Sequence, residues 1–127
     1  KEIDQVTVGR AELSGSLGKE PDDYEVLSIT KRIVEAAKFQ NKYTSIGGKI
    51  TTENCNMVLK TIGSHYINTR HMVIDCNSKD IKGDIEACLI WEKEFYGYLQ
   101  DNFSSRSSFY NKRIQSLEER IKTKVLV

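Results

Sequence analysis

Apolar positions in the first 75 residues switch between strand-like and helix-like spacing. The predicted elements are, in chain order, a strand at Val6–Val8, a helix at Tyr24–Gln40, a strand at Tyr43–Ile46, a helix at Glu53–Ile62 and a strand at His65–Arg70. Such alternation predicts a parallel sheet with right-handed crossovers. The β-branched run of the first strand predicts burial on both faces. Residues His71–Asp75 either extend the third strand or form a turn of helix after it.

The C-terminal third has helical spacing only. Asp80–Gln100 and Phe109–Val125 predict two amphipathic helices, so we divide the chain into an α/β segment, residues 1–78, and a helical extension, residues 79–127. A narrow apolar seam runs along the last helix. Its members are Tyr110, Ile114, Leu117, Ile121 and Val125. The seam is expected to pack back on its own domain, or else on a neighbouring subunit.

Composition restricts the functional classes. The 127 residues are one domain or less, 39% of them are apolar and 29% charged, and the net charge is only +1. Interspersed charges without a basic footprint argue against nucleic-acid binding. The sequence shows no membrane-spanning run and no secretory signal pattern, and its three widely spaced cysteines favour reduced thiols. We therefore expect a cytoplasmic protein that contacts neither a membrane nor a nucleic acid.

The first residue is not Met, and strand character begins within a few positions. This beginning predicts a fragment or processed piece of a larger protein. Three parallel strands cannot close a barrel, and on their own they leave both sheet edges open. The expected partners are therefore more chain or another subunit, with a homo-oligomer as the assembly.

Candidate binding residues follow the predicted strands. The first strand breaks at Gly9, whose missing Cβ lets a ligand approach the backbone closely. The glycines and serines that follow predict a polar loop, and Glu12 lies at its start, where α/β folds place their chemistry. Gly47-Gly48 lies between a strand and a helix start, where free backbone N–H groups can bind an anion, or where two glycines simply make a tight turn. Arg70, near the end of the third strand, can bind a carboxylate or phosphate, or form a surface ion pair.

The stretch Gly9-Arg10-Ala11-Glu12-Leu13-Ser14-Gly15-Ser16-Leu17-Gly18 resembles a motif of a known family. The HpcH/HpaI aldolase and citrate lyase β-subunit family has a strand followed by a phrase of the form G-x-x-D-L-S/T-x-S-L-G. The resemblance extends from Ile3 to about Asp75. It implies an α/β fold that is the C-terminal portion of a TIM (β/α)8-type barrel, about three parallel strands with helices, plus the long C-terminal helical extension.

The resemblance also implies a metal-dependent carbon–carbon lyase or aldolase that acts on a keto acid or an acyl-CoA thioester. Glu12 stands at the position of the family's carboxylate that binds the divalent metal, Mg²⁺ or Mn²⁺. The backbone N–H groups of Ala11 and Glu12 fall on the donors that hold the substrate carboxylate. The substrate-binding set comprises Gly9, Arg10, Ala11, Leu13, Gly47, Gly48 and Arg70.

The sequence departs from the family pattern at two positions. Glu12 replaces the usual Asp, and Arg10 stands where Pro is frequent, so Arg10 can pair either with Glu12 or with an anionic substrate. The family's second metal carboxylate and its substrate-binding arginine lie on earlier strands. The resemblance therefore implies that the fragment is inactive alone and that its partner is the remainder of the barrel. Two alternatives are a non-catalytic, barrel-derived assembly module and an independent small flavodoxin-like domain with a ligand at the strand ends.

Overall fold

A computed structural model describes residues 2–121, which form a mixed α/β structure of four strands and five α-helices. A short 3-10 helix, Ser104–Arg106, precedes the last helix. The strands are β1 (Gln5–Gly9), β2 (Tyr43–Gly47), β3 (Tyr66–Asn68) and β4 (Val73–Asp75). The helices are α1 (Arg10–Leu17), α2 (Tyr24–Phe39), α3 (Cys55–Ile62), α4 (Ile81–Asn102) and α5 (Ser107–Ile121).

The sheet order is β1-β2-β3-β4, and the first three strands are parallel, as the alternation predicts. Gly9 pairs with Gly47, so the carboxyl ends of β1 and β2 lie side by side. The fourth strand is antiparallel to β3. The chain reverses between them because the Thr69 N–H donates to Met72 O (3.0 Å). This strand lies on the edge of β3 where an all-parallel barrel would continue its sheet.

The prediction that β1 is buried on both faces is wrong. Val8 is buried, but Thr7 on the opposite face is exposed. The Thr7 hydroxyl instead forms a 2.6 Å hydrogen bond with Ser45 Oγ on β2. A Thr has the same β-branched shape as Val, so strand propensity alone does not distinguish a buried face from a hydrogen-bonded polar one.

The residues after Gly9 form helix α1 and not the loop that the glycines and serines suggest. Gly9 is the N-cap, so the helix starts directly at the end of β1. It ends at Gly18, whose φ of +64° allows the N–H groups of Gly18 and Lys19 to bond Gly15 O and Ser14 O. Glu12 therefore lies in the first turn of a helix.

One hydrophobic core continues across the predicted boundary at residue 78. It joins Ile46 and Ile67 of the sheet to Val58 of α3, Ile85 of α4 and Leu117 of α5. The helices of the predicted extension thus share the core of the sheet. Because their apolar faces are covered there, most of their stability comes from this tertiary packing.

Helix α5 packs on α4, which confirms the prediction that the seam folds back on its own domain. Tyr110 and Leu117 are buried, and Ile114 and Ile121 are half-buried against the core. Val125, the last residue of the predicted seam, lies outside the described residues. Between residues 2 and 121, no helix is both long enough and apolar enough to cross a membrane.

The cysteines are packed free thiols, as expected from their spacing. Cys55 is buried, and Cys76 and Cys88 are half-buried. Burial raises the pKa of all three thiols. Because the thiolate is the reactive form, a raised pKa makes these thiols less reactive.

Candidate functional site

A cleft of about 330 Å³ lies at the carboxyl end of the three parallel strands. It is lined by residues that follow each of these strands and by one face of α5. The lining residues are Ala11, Glu12, Gly47, Gly48, Lys49, Asn68, Thr69, Arg70, Arg113, Ser116 and Arg120. The structure thus brings together five of the predicted site residues: Ala11, Glu12, Gly47, Gly48 and Arg70.

The turn after β2 presses against the start of α1. Gly48 has φ +90°, and a Cβ built on it would lie 2.9 Å from Arg10 N and even closer to Ala11 N. The following Lys49 also has a positive φ, +48°, which is uncommon for a residue with a side chain. This strained turn holds the Lys49 backbone and the α1 N-terminus against each other at the cleft.

Glu12 lies beside the tip of β1. A Cβ added at Gly9 would be 3.2 Å from the Glu12 carboxyl carbon and closer still to Oε2. The missing Cβ of Gly9 therefore makes room for the Glu12 carboxylate, whereas the sequence predicted that a ligand approaches the backbone there. The additional methylene of Glu, relative to Asp, lets the side chain fold back over Gly9.

Arg10 was predicted to bind substrate. It does not line the cleft, and its side chain is fully buried. Its guanidinium pairs with Asp22 and donates to Gly48 O (2.8 Å) and Pro21 O (3.3 Å). Burial lowers the pKa of Arg10, and the Asp22 carboxylate opposes that change. Arg10 is thus a structural residue that ties α1 to the two turns around it.

Leu13 was also predicted to bind substrate. Its side chain is instead half-buried and packs against the hydrophobic core. Position 13 is one turn along α1 from Gly9, so the helix carries it away from the strand tips. In the predicted loop, Leu13 would lie at the substrate. In the observed helix, its side chain packs against the core.

Helix α5 closes the other side of the cleft. Arg113, Ser116 and Arg120 lie three and then four residues apart, which puts them on one helix face. Arg120 Nε donates to Ile50 O (3.0 Å), and Thr52 N–H donates to Arg120 O (3.4 Å). These bonds fasten the end of α5 to the segment that follows the Gly48 turn.

Arg113 carries an unpaired guanidinium edge. Its Cζ lies 5.4 Å from the centre of the Tyr96 ring, a cation–π contact. The Nε and Nη2 atoms are buried and have no hydrogen-bond partner within the described part of the chain. Buried donors without partners are costly, so an acceptor that reached this edge of Arg113 would be stabilising.

A buried carboxylate supports the turn that carries Arg70. Glu92 of α4 is fully buried, and its Oε1 accepts from Thr69 Oγ1 (2.7 Å) and from the His71 N–H (3.1 Å). The Met72 N–H in turn donates to Thr69 Oγ1 (3.2 Å). Glu92 therefore fixes the β3–β4 turn from below, while Arg70 lines the cleft above it.

Burial lowers the pKa of Arg120, the Glu92 charge raises it, and the neighbouring Arg113 lowers it further. Charges in the cleft are unbalanced. Among the described residues, one carboxylate, that of Glu12, lines the cleft together with four cationic side chains, those of Lys49, Arg70, Arg113 and Arg120. Such a surplus in a concave site attracts anions.

The fit to a divalent metal is limited to one ligand. Glu12 is the sole carboxylate among the lining residues, and residues 2–121 hold no group of three or more His, Cys, Asp or Glu side chains placed to bind a metal. Mg²⁺ keeps several waters and takes one or two carboxylates together with substrate oxygens. Glu12 suits that mode as one ligand.

Sequence reasoning missed six of the lining residues. They are Lys49, Asn68, Thr69, Arg113, Ser116 and Arg120. Lys49 follows the predicted Gly47-Gly48 turn directly, so it was within reach of the prediction. The α5 residues had a weaker signal, a polar stripe beside the apolar seam, which is also typical of a solvated helix face.

Comparisons of the chain with models of protein families, with curated proteins and with solved structures find no match.

Proposed function

We propose that this chain binds a small carboxylate-bearing metabolite, a keto acid or an acyl-CoA thioester, as part of a metal-dependent carbon–carbon lyase or aldolase. The observation that supports the proposal is the cleft itself. One cationic cavity at the strand ends is lined by residues that were predicted from three separate stretches of sequence: Glu12, Gly47-Gly48 and Arg70. In α/β proteins this edge is the usual place for a ligand.

The roles of the residues follow from their placement. Arg70 and Lys49 supply positive charge for the substrate carboxylate, and the start of α1 at Ala11 adds the positive end of a helix dipole. Glu12 would hold Mg²⁺ or Mn²⁺ at the tip of β1. A metal bound there would supply Lewis-acid stabilisation of an enolate oxygen. In a TIM-type barrel, the remaining strands would join at the outer edge of β1, where they would bring further site residues. For the barrel to close, β4 would have to leave the edge of β3.

Metal binding tests this proposal. Glu12→Gln removes the charge of a carboxylate that lines the cleft, with almost no change in shape. We expect the Kd for Mn²⁺, measured by water-proton relaxation with oxalate present, to rise at least about tenfold, a loss of about 1.4 kcal/mol. Oxalate is the probe because its two adjacent oxygen donors resemble those of a keto acid enolate.

Glu86→Gln is the matched control, since Glu86 is exposed on α4 and does not line the cleft. The control should leave the Kd for Mn²⁺ unchanged. Equal Mn²⁺ binding by the wild-type, Glu12→Gln and Glu86→Gln proteins would remove Glu12 from the metal role and, with it, the metal-dependent reaction.

An exposed aromatic pair favours the second candidate function, a non-catalytic assembly module. Trp91 and Phe95 of α4 are stacked, with ring centres 5.3 Å apart and planes 5° apart, yet remain 44% and 37% exposed. Exposed neighbouring aromatics are typical of interaction surfaces.

The assembly module makes a different prediction. Trp91→Glu places a charge on the aromatic pair without touching the core, so it should convert an oligomer into monomers in sedimentation velocity experiments. Tyr24→Glu is the control, since Tyr24 is highly exposed at the start of α2. A wild-type protein that is monomeric, or an oligomer that both variants retain, contradicts assembly through this pair.

A further inference from the structure

We propose that Arg113, Ser116 and Arg120 of α5 form a second anion subsite, which binds a phosphate or carboxylate group at the end of the ligand remote from the strand tips. The proposal deepens the proposed function, because it makes the ligand a compound with two separated anionic groups. The strand-end half of the cleft, with Lys49 and Arg70, receives one group. The α5 face receives the other.

The first support is the arrangement of the α5 side chains. Positions 113, 116 and 120 line the cleft, while the apolar positions 110, 114, 117 and 121 pack toward the core. The helix therefore presents two chemically different faces: an apolar one toward α4 and a polar, cationic one toward the strand ends. Two guanidiniums with a hydroxyl between them make a set of donors suited to a group with several anionic oxygens.

The second support is the geometry of Arg113. Nε and Nη2 form one edge of the guanidinium, the edge that binds two oxygens of a carboxylate or phosphate side by side. Both atoms are buried and unpartnered within the described residues, so an anion in the cleft reaches this edge only after a small movement of the side chains that cover it. The Tyr96 ring lies 5.4 Å from Arg113 Cζ and limits the orientations of the guanidinium. A fork that is already oriented loses less conformational entropy when an anion binds.

The third support is the charge balance around Arg120. Its Nε bond to Ile50 O fastens the side chain at the cleft. Glu92 attracts Arg120, and Arg113 repels it. The Glu92 Oε1 already accepts two hydrogen bonds, and its buried Oε2 has no hydrogen-bond partner among the described residues. An anion near Arg113 and Arg120 would relieve the remaining repulsion, which favours anion binding at this place.

The subsite can be tested by adding one negative charge inside it. Ser116→Glu places a carboxylate between the two arginines, and Gln115→Glu, at an exposed position of the same helix, is the matched control. The probes are inorganic phosphate and succinate, titrated by calorimetry at low ionic strength. We expect Ser116→Glu to raise the Kd for the bound probe at least about tenfold and the control to change it by less than about twofold.

A second variant keeps the test valid if Ser116→Glu folds poorly. Arg113→Lys retains the charge but loses the fork, so it should weaken binding while a matched Arg32→Lys substitution, on the exposed face of α2, has no effect. Tighter phosphate binding would identify a phosphorylated ligand, and tighter succinate binding a dicarboxylate; both outcomes support the subsite. Failure of both probes to bind, or equal weakening by the variants and their controls, overturns it.

The outcomes separate this inference from the lyase proposal. If Glu12→Gln loses Mn²⁺ while Ser116→Glu and Arg113→Lys bind both anions as the wild-type does, the subsite is wrong and the metal role of Glu12 stands. If Ser116→Glu loses anion binding while Glu12→Gln binds Mn²⁺ as the wild-type does, the subsite stands and the metal-dependent function is wrong.

Discussion

Substitution of Gly48 by alanine is expected to destabilise the fold by about 4 kcal/mol, a large part of the 5–15 kcal/mol typical of a whole domain. The new Cβ would lie 2.9 Å from Arg10 N and closer to Ala11 N. Both are backbone atoms, so no rotamer change can relieve the overlap, and the φ of +90° is itself unfavourable for alanine. Urea unfolding followed by far-UV circular dichroism measures the loss.

Gly18→Ala separates the two contributions. Gly18 also has a positive φ, +64°, but a Cβ there would meet no atom within 4 Å. Its substitution should therefore cost only the left-handed backbone strain, about 1–2 kcal/mol. If the two variants lose the same free energy of unfolding, the Gly48 turn does not pack on the start of α1 at the cleft.

The residues at the ends of the parallel strands could be predicted from the sequence. Strand and helix periodicities identified β2 and α2 to within a residue or so, and alternation alone implied that the ends of β1, β2 and β3 share one edge. Residues that follow those strands, such as Glu12 and Arg70, then had to lie near each other. Short-range pattern and a general rule of parallel sheets suffice for this half of the cleft.

Other local features were decided by contacts distant in sequence. The residues Ser14-Gly15-Ser16 have weak helix propensity, yet they form α1, which Arg10 anchors through bonds to Asp22 and Gly48. Strand β4 is only three residues long, and its direction depends on a turn that Glu92 holds from 21 and 23 residues away. Tertiary contacts of this kind leave no periodic signal in the sequence.

The α5 half of the cleft was beyond prediction for a similar reason. A stripe of Arg113, Ser116 and Arg120 has the same pattern whether it faces water or a cleft. The stripe faces the cleft because the end of α5 is attached to Thr52 and Ile50, about 70 positions earlier in the sequence. Arg10 shows the converse case: a motif placed its charge at the substrate, whereas the fold buries it with Asp22.

Removal of Glu92 should be as damaging as the change at Gly48. Glu92→Ala deletes the acceptor of the Thr69 hydroxyl and the His71 N–H, leaves a cavity, and removes the carboxylate that balances Arg120. Breaking a buried charged network of this type costs about 3–5 kcal/mol. Glu94→Ala, at an exposed position of the same helix, should stay within about 0.5 kcal/mol of the wild-type free energy of unfolding.

Hydrogen exchange gives this prediction a local readout that overall stability does not supply. The His71 N–H is protected by Glu92 Oε1, so in Glu92→Gln, which keeps one acceptor oxygen and the side-chain shape, it should remain partly protected. In Glu92→Ala it should exchange far faster than the amides of β2, because the turn opens locally while the parallel strands stay paired. Such opening would also displace Arg70 from the cleft. If the His71 amide keeps its protection in Glu92→Ala, the turn is held by other contacts, and Glu92 is a core residue without influence on the site.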